Sequence, residues 1–190
     1  AQGKLFPCYA IRDYLKPLVK LVELHQAARL LECGCGRGMQ YLKRRVHEKW
    51  GGLLPHCYDI AVNGLEEKPT GEFDGVICTD VLEHIEDDRG EMARAAGLVR
   101  PGGHVVVMSP AHQWLFTPFD EAIGHYRRYS KASLRAVGPP GMDLVRLSYL
   151  DSVGLLASLG NRLMLKQSRP HPKQIAVWDK GMVRVSRVLD

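Results

Sequence analysis

The feature that most constrains this chain is the junction at Ala28–Gly38. A short apolar run, Ala28-Arg-Leu-Leu-Glu-Cys33, ends directly on Gly34, Gly36 and Gly38. An apolar run of that length bounded by glycines reads as a buried strand. The residues after the glycines, Met39–Trp50, place Met39, Leu42, Val46 and Trp50 near one helical face, and Gly51-Gly52 closes it. Strand, glycine turn and helix in that order open an α/β fold. In open α/β sheets ligands bind at the carboxyl ends of the strands, where this turn falls.

The rest of the chain repeats the alternation. Pro55–Ile60, Asp74–Thr79, His104–Met108 and Met142–Tyr149 read as further strands. Ile11–Gln26, Asp87–Val99, Ser130–Val137, Ser152–Lys166 and Ile175–Val188 read as helices, the last with a partly extended alternative, and Pro17 implies a kink or a start near Lys16. Arg100-Pro-Gly-Gly103 reads as a turn. Strands alternating with helices imply a mostly parallel sheet covered on both faces.

A charge placement then narrows the ligand. Glu32 sits near the end of a buried strand, where a carboxylate is costly unless paired. An ammonium or sulfonium group would pair it, and a pyrophosphate would be repelled. Asp59 ends the second strand, 23 residues after Gly36, where a carboxylate accepts hydrogen bonds from ribose hydroxyls. A turn-forming role for Asp59 is the alternative.

The net charge of +5 is diffuse and forms no long basic run, so it gives no case for nucleic acid. Hydrophobic residues make up 45%, enough for a core, and no stretch reaches the ~18–20 apolar residues of a membrane span. Lys4, Arg12 and Asp13 interrupt any apolar leader, and the reading is cytoplasmic. Five cysteines at irregular spacing make a poor disulfide framework, and Cys33-x-Cys35 lacks a zinc-like second pair, so no metal site is expected.

Three blocks carry a resemblance: Glu32-x-Gly-x-Gly-x-Gly38, Asp80-Val-Leu-Glu-His-Ile85 and Leu98-Val-Arg-Pro-Gly-Gly103. In this order they resemble the class I S-adenosylmethionine-dependent methyltransferases, over about residues 28–149. Further blocks, Ser109–Phe116, Phe119–Ser130, Trp178-Asp-Lys and Ser186–Asp190, are similar to an uncharacterised subgroup of them. The resemblance implies a Rossmann-like three-layer α/β sandwich and S-adenosylmethionine as cofactor, with S-adenosylhomocysteine as product. It implies that Glu32, Gly34, Cys35, Gly36 and Gly38 lie against the amino-acid and ribose parts. Asp59 would bind the ribose hydroxyls, Ile60 would flank the adenine, and Asp80, Val81 and His84 would line the methionine end.

Two departures from the family pattern imply a reduced sheet. Only 13 residues separate Asp59 from Phe73, too few for the usual helix and edge strand. Nothing after Val188 reads as the closing antiparallel strand, so a chain cut short there is one expectation. The organisation expected is one domain over residues 1–190: a helical segment (1–27), a cofactor-binding core (28–110) and an acceptor-side loop with C-terminal helices (111–190).

Methyl transfer from a sulfonium needs a base only when the acceptor must lose a proton. His112, His125 and Tyr126 are the candidates, each with a structural hydrogen bond as its alternative. Arg127 and Arg128 suit a phosphate or carboxylate, or else form a solvated basic turn or an ion pair with Asp120 or Glu121. Trp114 and neighbouring aromatics suit a lid over a partly apolar acceptor, either a small molecule or a lipid- or sugar-linked group. Two other functions compete. A nicotinamide oxidoreductase would need Gly-x-Gly-x-x-Gly, and here the third glycine comes one residue early. A non-catalytic protein on the same fold would explain the reduced sheet.

Overall fold

The computed structural model describes residues 15–24 and 26–150, together with Leu155 and Leu159. The described residues up to Leu82, with Arg89–Ser109, form one compact unit; Glu83–Asp88 and the described residues from Pro110 onward form a second.

The first unit is built on four parallel strands: β1 (Leu30–Cys33), β2 (His56–Tyr58), β3 (Phe73–Thr79) and β4 (Val99–Met108), in the spatial order β2-β1-β3-β4. Alternation along each strand sends neighbouring residues to opposite faces. On one face Leu30 and Ile77 pack with Leu18 and Val22 of helix α1 (Leu15–Leu24) and with Tyr41, Val46 and Trp50. On the other, Leu31, Cys33, Val76 and Cys78 pack with Ala95 of a helix at Asp88–Ala96. Val106 of β4 joins the first layer, and Val105 and Val107 join the second. The expected three-layer α/β sandwich is therefore present, with a short sheet.

Pro17 lies in the first turn of α1, where its missing N–H breaks no intrahelical bond. Leu18 and Val22, one turn apart, are the buried stripe of that helix. Between Asp59 and Phe73 there are turns and no strand, as the short spacing implied, so β2 is an edge among the described residues.

Three expectations are corrected. Met39–Trp50 is not one helix: α2 (Met39–Leu42) gives way to a 3₁₀ turn at Val46–Trp50, with Arg45 in the left-handed region at φ 50. The break falls beside the cationic run Lys43-Arg44-Arg45 and lets Val46 and Trp50 both enter the core beside Tyr41. Arg100–Gly103 is an irregularity inside β4, since Phe73 pairs with Val99 and Gly75 with His104. The strand expected at Met142–Tyr149 is absent. Val145 is 74% and Leu144 49% exposed there, while Tyr149 stacks on His112 rather than joining a sheet. The helices expected at Ser152–Lys166 and Ile175–Val188 lie outside the described residues except at Leu155 and Leu159, which are helical.

In the second unit the short helices α4 (Pro118–Ala122) and α5 (Lys131–Arg135) follow the helix Asp88–Ala96, which is α3. Both have capping boxes, from Thr117 with Asp120 and from Ser130 with Ser133. No helix among the described residues is long and apolar enough to cross a membrane.

Candidate active site

Parallel pairing aligns the carboxyl ends of the strands. Cys33 is in register with Tyr58 on one side and Cys78 on the other. The segments that follow β1, β2 and β3 therefore leave the sheet at one end: the glycine turn, Asp59-Ile60 and Asp80-Val81.

Backbone bonds tie these segments together. Gly34 N donates to Tyr58 O at 2.9 Å, and Gly36 N donates to Asp59 Oδ2 at 2.8 Å. The other Asp59 oxygen accepts Ala61 N at 2.9 Å. Asp59 thus shapes both turns, and each carboxylate oxygen keeps a further lone pair for a ligand. Gly34 adopts φ 68, and a Cβ there would lie 2.4 Å from Val81 Cγ2. Only glycine meets both conditions, the left-handed backbone and the close approach.

Glu32, the carboxylate that the sequence places near the end of a buried strand, lies on β1. Its position in β1 puts it on the Leu30 face, and it is fully enclosed. Gln40 Nε2 donates to its Oε1 at 2.5 Å, while Oε2 has no well-directed hydrogen bond among the described residues. Burial pushes the Glu32 carboxyl up to about 7, with the Asp59 charge adding to the rise and the hydroxyl of Tyr41 and the amide of Gln40 opposing it. Gln40 went unnoticed in the sequence; its position eight residues after Glu32, on the first turn of α2, was the available signal.

Cys35 is also enclosed, and its Sγ donates to Gly36 O at 3.3 Å. A hydrogen bond with Cys57, then burial, holds its thiol well above the usual range, so Cys35 offers a ligand its backbone alone. Ile60 is 77% exposed, an open apolar surface beside Asp59. Asp80 takes φ 55 at the end of β3, with its N–H on Met108 O at 2.9 Å.

His84 and the acceptor-side candidates all belong to the second unit. The His112 N–H donates to Tyr129 O at 2.8 Å, and its ring stacks on Tyr149 with centroids 4.5 Å apart. Trp114 lies 5.6 Å from the same ring and is half exposed, as is Tyr126. His125 Nδ1 meets Asp120 Oδ1 at 3.1 Å. His84 Nδ1 meets Gly124 O at 3.3 Å, and burial, then the neighbouring His125, lowers its pKa.

The two arginines are engaged within the unit. Arg127 pairs with Asp88 at 2.6 Å and donates to Glu86 O at 2.7 Å. Arg128 grips Asp120 at two points, Nε to Oδ1 at 2.8 Å and Nη2 to Oδ2 at 3.1 Å. Arg128 thus makes the ion pair with Asp120 that the sequence offered as its alternative, while Arg127 pairs with Asp88, a partner the sequence reading did not name. Asp120, named from the sequence only as an ion-pair partner, organises this segment. It also accepts Thr117 N and Oγ1, at 2.9 and 3.0 Å, and the Thr117-Pro-Phe-Asp120 capping pattern was the signal for it. Burial works against its charge, but His125 and Arg128 hold its carboxyl well below the usual range.

Residues 8–138 match the model of a family described as a methyltransferase domain. The chain belongs to that family, within the class I S-adenosylmethionine-dependent methyltransferases, whose cofactor is S-adenosylmethionine. Curated relatives include the ubiquinone biosynthesis O-methyltransferase of Cupriavidus pinatubonensis, 37% identical over 62 residues, which are 33% of this chain and 25% of the relative. The enzyme of the same description from Bordetella avium is 28% identical over 125 residues, 55% of this chain and 52% of the relative. The chain spans about half the length of such relatives, or less. Among solved structures, an O-methyltransferase family protein from Burkholderia thailandensis aligns with TM-score 0.48 at 20% identity, over 67% of this chain and 50% of that one.

Proposed function

We propose that this chain transfers the methyl group of S-adenosylmethionine to a small-molecule or lipid- or sugar-linked acceptor. The observation that carries the reading is the bond from Gly36 N to Asp59 Oδ2 beside the Gly34–Val81 approach. It joins a side-chain-free cradle to a ribose-binding acid at the carboxyl end of a parallel sheet. A group with two ribose hydroxyls fits Asp59, and its adenine fits the exposed Ile60; Gly34, Gly36 and Gly38 would pass closely along it. Asp80 and Val81 would hold its amino-acid end. Bound there, the cofactor supplies an electrophilic methyl and departs as a neutral thioether.

The chain's own contribution is then largely orientation, which can supply effective molarities of roughly 10⁵–10⁸ M. For an acceptor that must lose a proton, His112 and His125 are the proposed bases, with Tyr126 beside them. Trp114 is proposed to cover an apolar acceptor surface. An acceptor of small-molecule type is supported by the O-methyltransferase relatives.

The test is calorimetric titration of the chain with S-adenosylhomocysteine, with NAD as control and Asp59→Ala as a second sample. Micromolar binding of the first alone, with at least a tenfold loss in the variant, is expected. Folded protein that binds neither ligand would overturn the catalytic reading and favour a non-catalytic role for the fold.

A further inference from the structure

Two histidines and a carboxylate converge in the second unit, outside the glycine turn. Glu83, His84 and His125 each offer one ligand atom, and the three atoms lie within 4.8 Å of one another. Glu83 is fully enclosed, while His84 is open to solvent. The two imidazole rings meet edge to face, with centroids 4.6 Å apart. Tyr126 N donates to Glu83 O at 2.7 Å and so clamps together the two segments that carry these groups.

The outward bonds of the histidines give a second, independent observation. His84 Nδ1 faces a carbonyl, Gly124 O, which can only accept. His125 Nδ1 faces Asp120, a carboxylate kept anionic by its two-point pair with Arg128. Both Nδ1 atoms must therefore be donors, which leaves Nε2 of each neutral ring with a free lone pair. A metal-binding histidine usually shows this arrangement, its other nitrogen fixed on a carboxylate or carbonyl. The bonds to Gly124 and Asp120 also lock both rings in orientation before any ion arrives.

We propose that Glu83, His84 and His125 form a binding site for a divalent first-row transition cation of the zinc or cobalt kind. Two imidazole nitrogens and one carboxylate oxygen suit such an ion better than magnesium or calcium, which prefer all-oxygen sets. Three protein ligands leave at least one coordination position for water or an oxygen of a bound molecule. This departs from the sequence reading, which assigned no metal and treated His125 as a candidate base. With an ion bound, His125 is a ligand and His112 is left as the proposed base; the site itself does not depend on the methyl-transfer proposal.

The experiment is titration of the chelator-treated 190-residue chain with Co²⁺, followed by visible absorption, and with Zn²⁺, followed by calorimetry. One ion per chain is expected, with ligand-field bands that mark nitrogen coordination. His84→Asn and His125→Ala should each weaken binding at least tenfold, while His56→Ala, on exposed β2, should leave it unchanged. His84→Asn sits at an exposed position, so circular dichroism should show it folded even where the second variant is not. Binding of equal strength in folded His84→Asn, or none by the folded parent chain, would overturn the site. S-adenosylhomocysteine titration of the same samples reads the methyl-transfer proposal separately.

Discussion

Asp120 and Arg128 form a two-point ion pair inside the second unit, Nε to Oδ1 at 2.8 Å and Nη2 to Oδ2 at 3.1 Å. The same carboxylate caps α4 through Thr117 and holds His125 Nδ1. Asp120→Asn leaves a largely enclosed guanidinium without its counter-charge. Breaking one side of such a pair costs about 3–5 kcal/mol. Urea denaturation at pH 7 should show a loss of that order, and a loss under 1 kcal/mol would contradict the role assigned to Asp120.

Glu32 predicts a pH dependence of its own. Its carboxyl rises from an ordinary 4.5 to about 7 on folding, chiefly through burial. The folded state binds this proton more tightly than the unfolded state. The stabilisation is therefore complete below about 4.5, falls as pH rises toward 7, and is gone above it. Its size is about 3 kcal/mol, at roughly 1.4 kcal/mol per pKa unit. Glu32→Gln should flatten this slope and stabilise the protein at pH 8, as read by urea midpoints at pH 5 and pH 8. Asp120 acts in a separate window. Its depressed carboxyl stabilises above the ordinary carboxylate range, and that contribution is lost only as pH falls below it.

Gly34→Ala tests the cradle. The new Cβ would meet Val81 Cγ2 at 2.4 Å on a backbone at φ 68. Affinity for S-adenosylhomocysteine should fall at least tenfold by calorimetry. Adding Val81→Ala removes the clash but not the left-handed backbone, so it should restore only part of the loss. Full recovery would assign the effect to the clash alone.

Trp50 tests the reading of the broken helix. Its ring packs edge-on against Tyr41 with centroids 6.2 Å apart, and its Nε1 donates to Leu53 O at 2.7 Å. Trp50→Ala should cost about 3–5 kcal/mol in chemical denaturation. Trp50→Phe keeps most of the apolar volume and loses the hydrogen bond, so its cost should be clearly smaller.

The sequence by itself determined the order of strands and helices, the glycine turn and the acid after β2. These are local signals: a run of apolar residues, a backbone that only glycine accepts, and a charge at a fixed spacing from it. It also foretold a reduced sheet between Asp59 and Phe73, because 13 residues are too few for the family's usual helix and edge strand. What only the tertiary structure decided is how side chains from distant segments meet. Glu32 turns inward to Gln40 because strand alternation puts it on the enclosed face. Arg127 and Arg128 answer to Asp88 and Asp120, because an enclosed carboxylate must find its cation within the unit. Met142–Tyr149 carries a strand-like pattern yet forms none, with Leu144 and Val145 exposed and Tyr149 stacked on His112 instead. Pairings of this kind depend on which surfaces the fold brings within reach, and no periodicity along the chain records that.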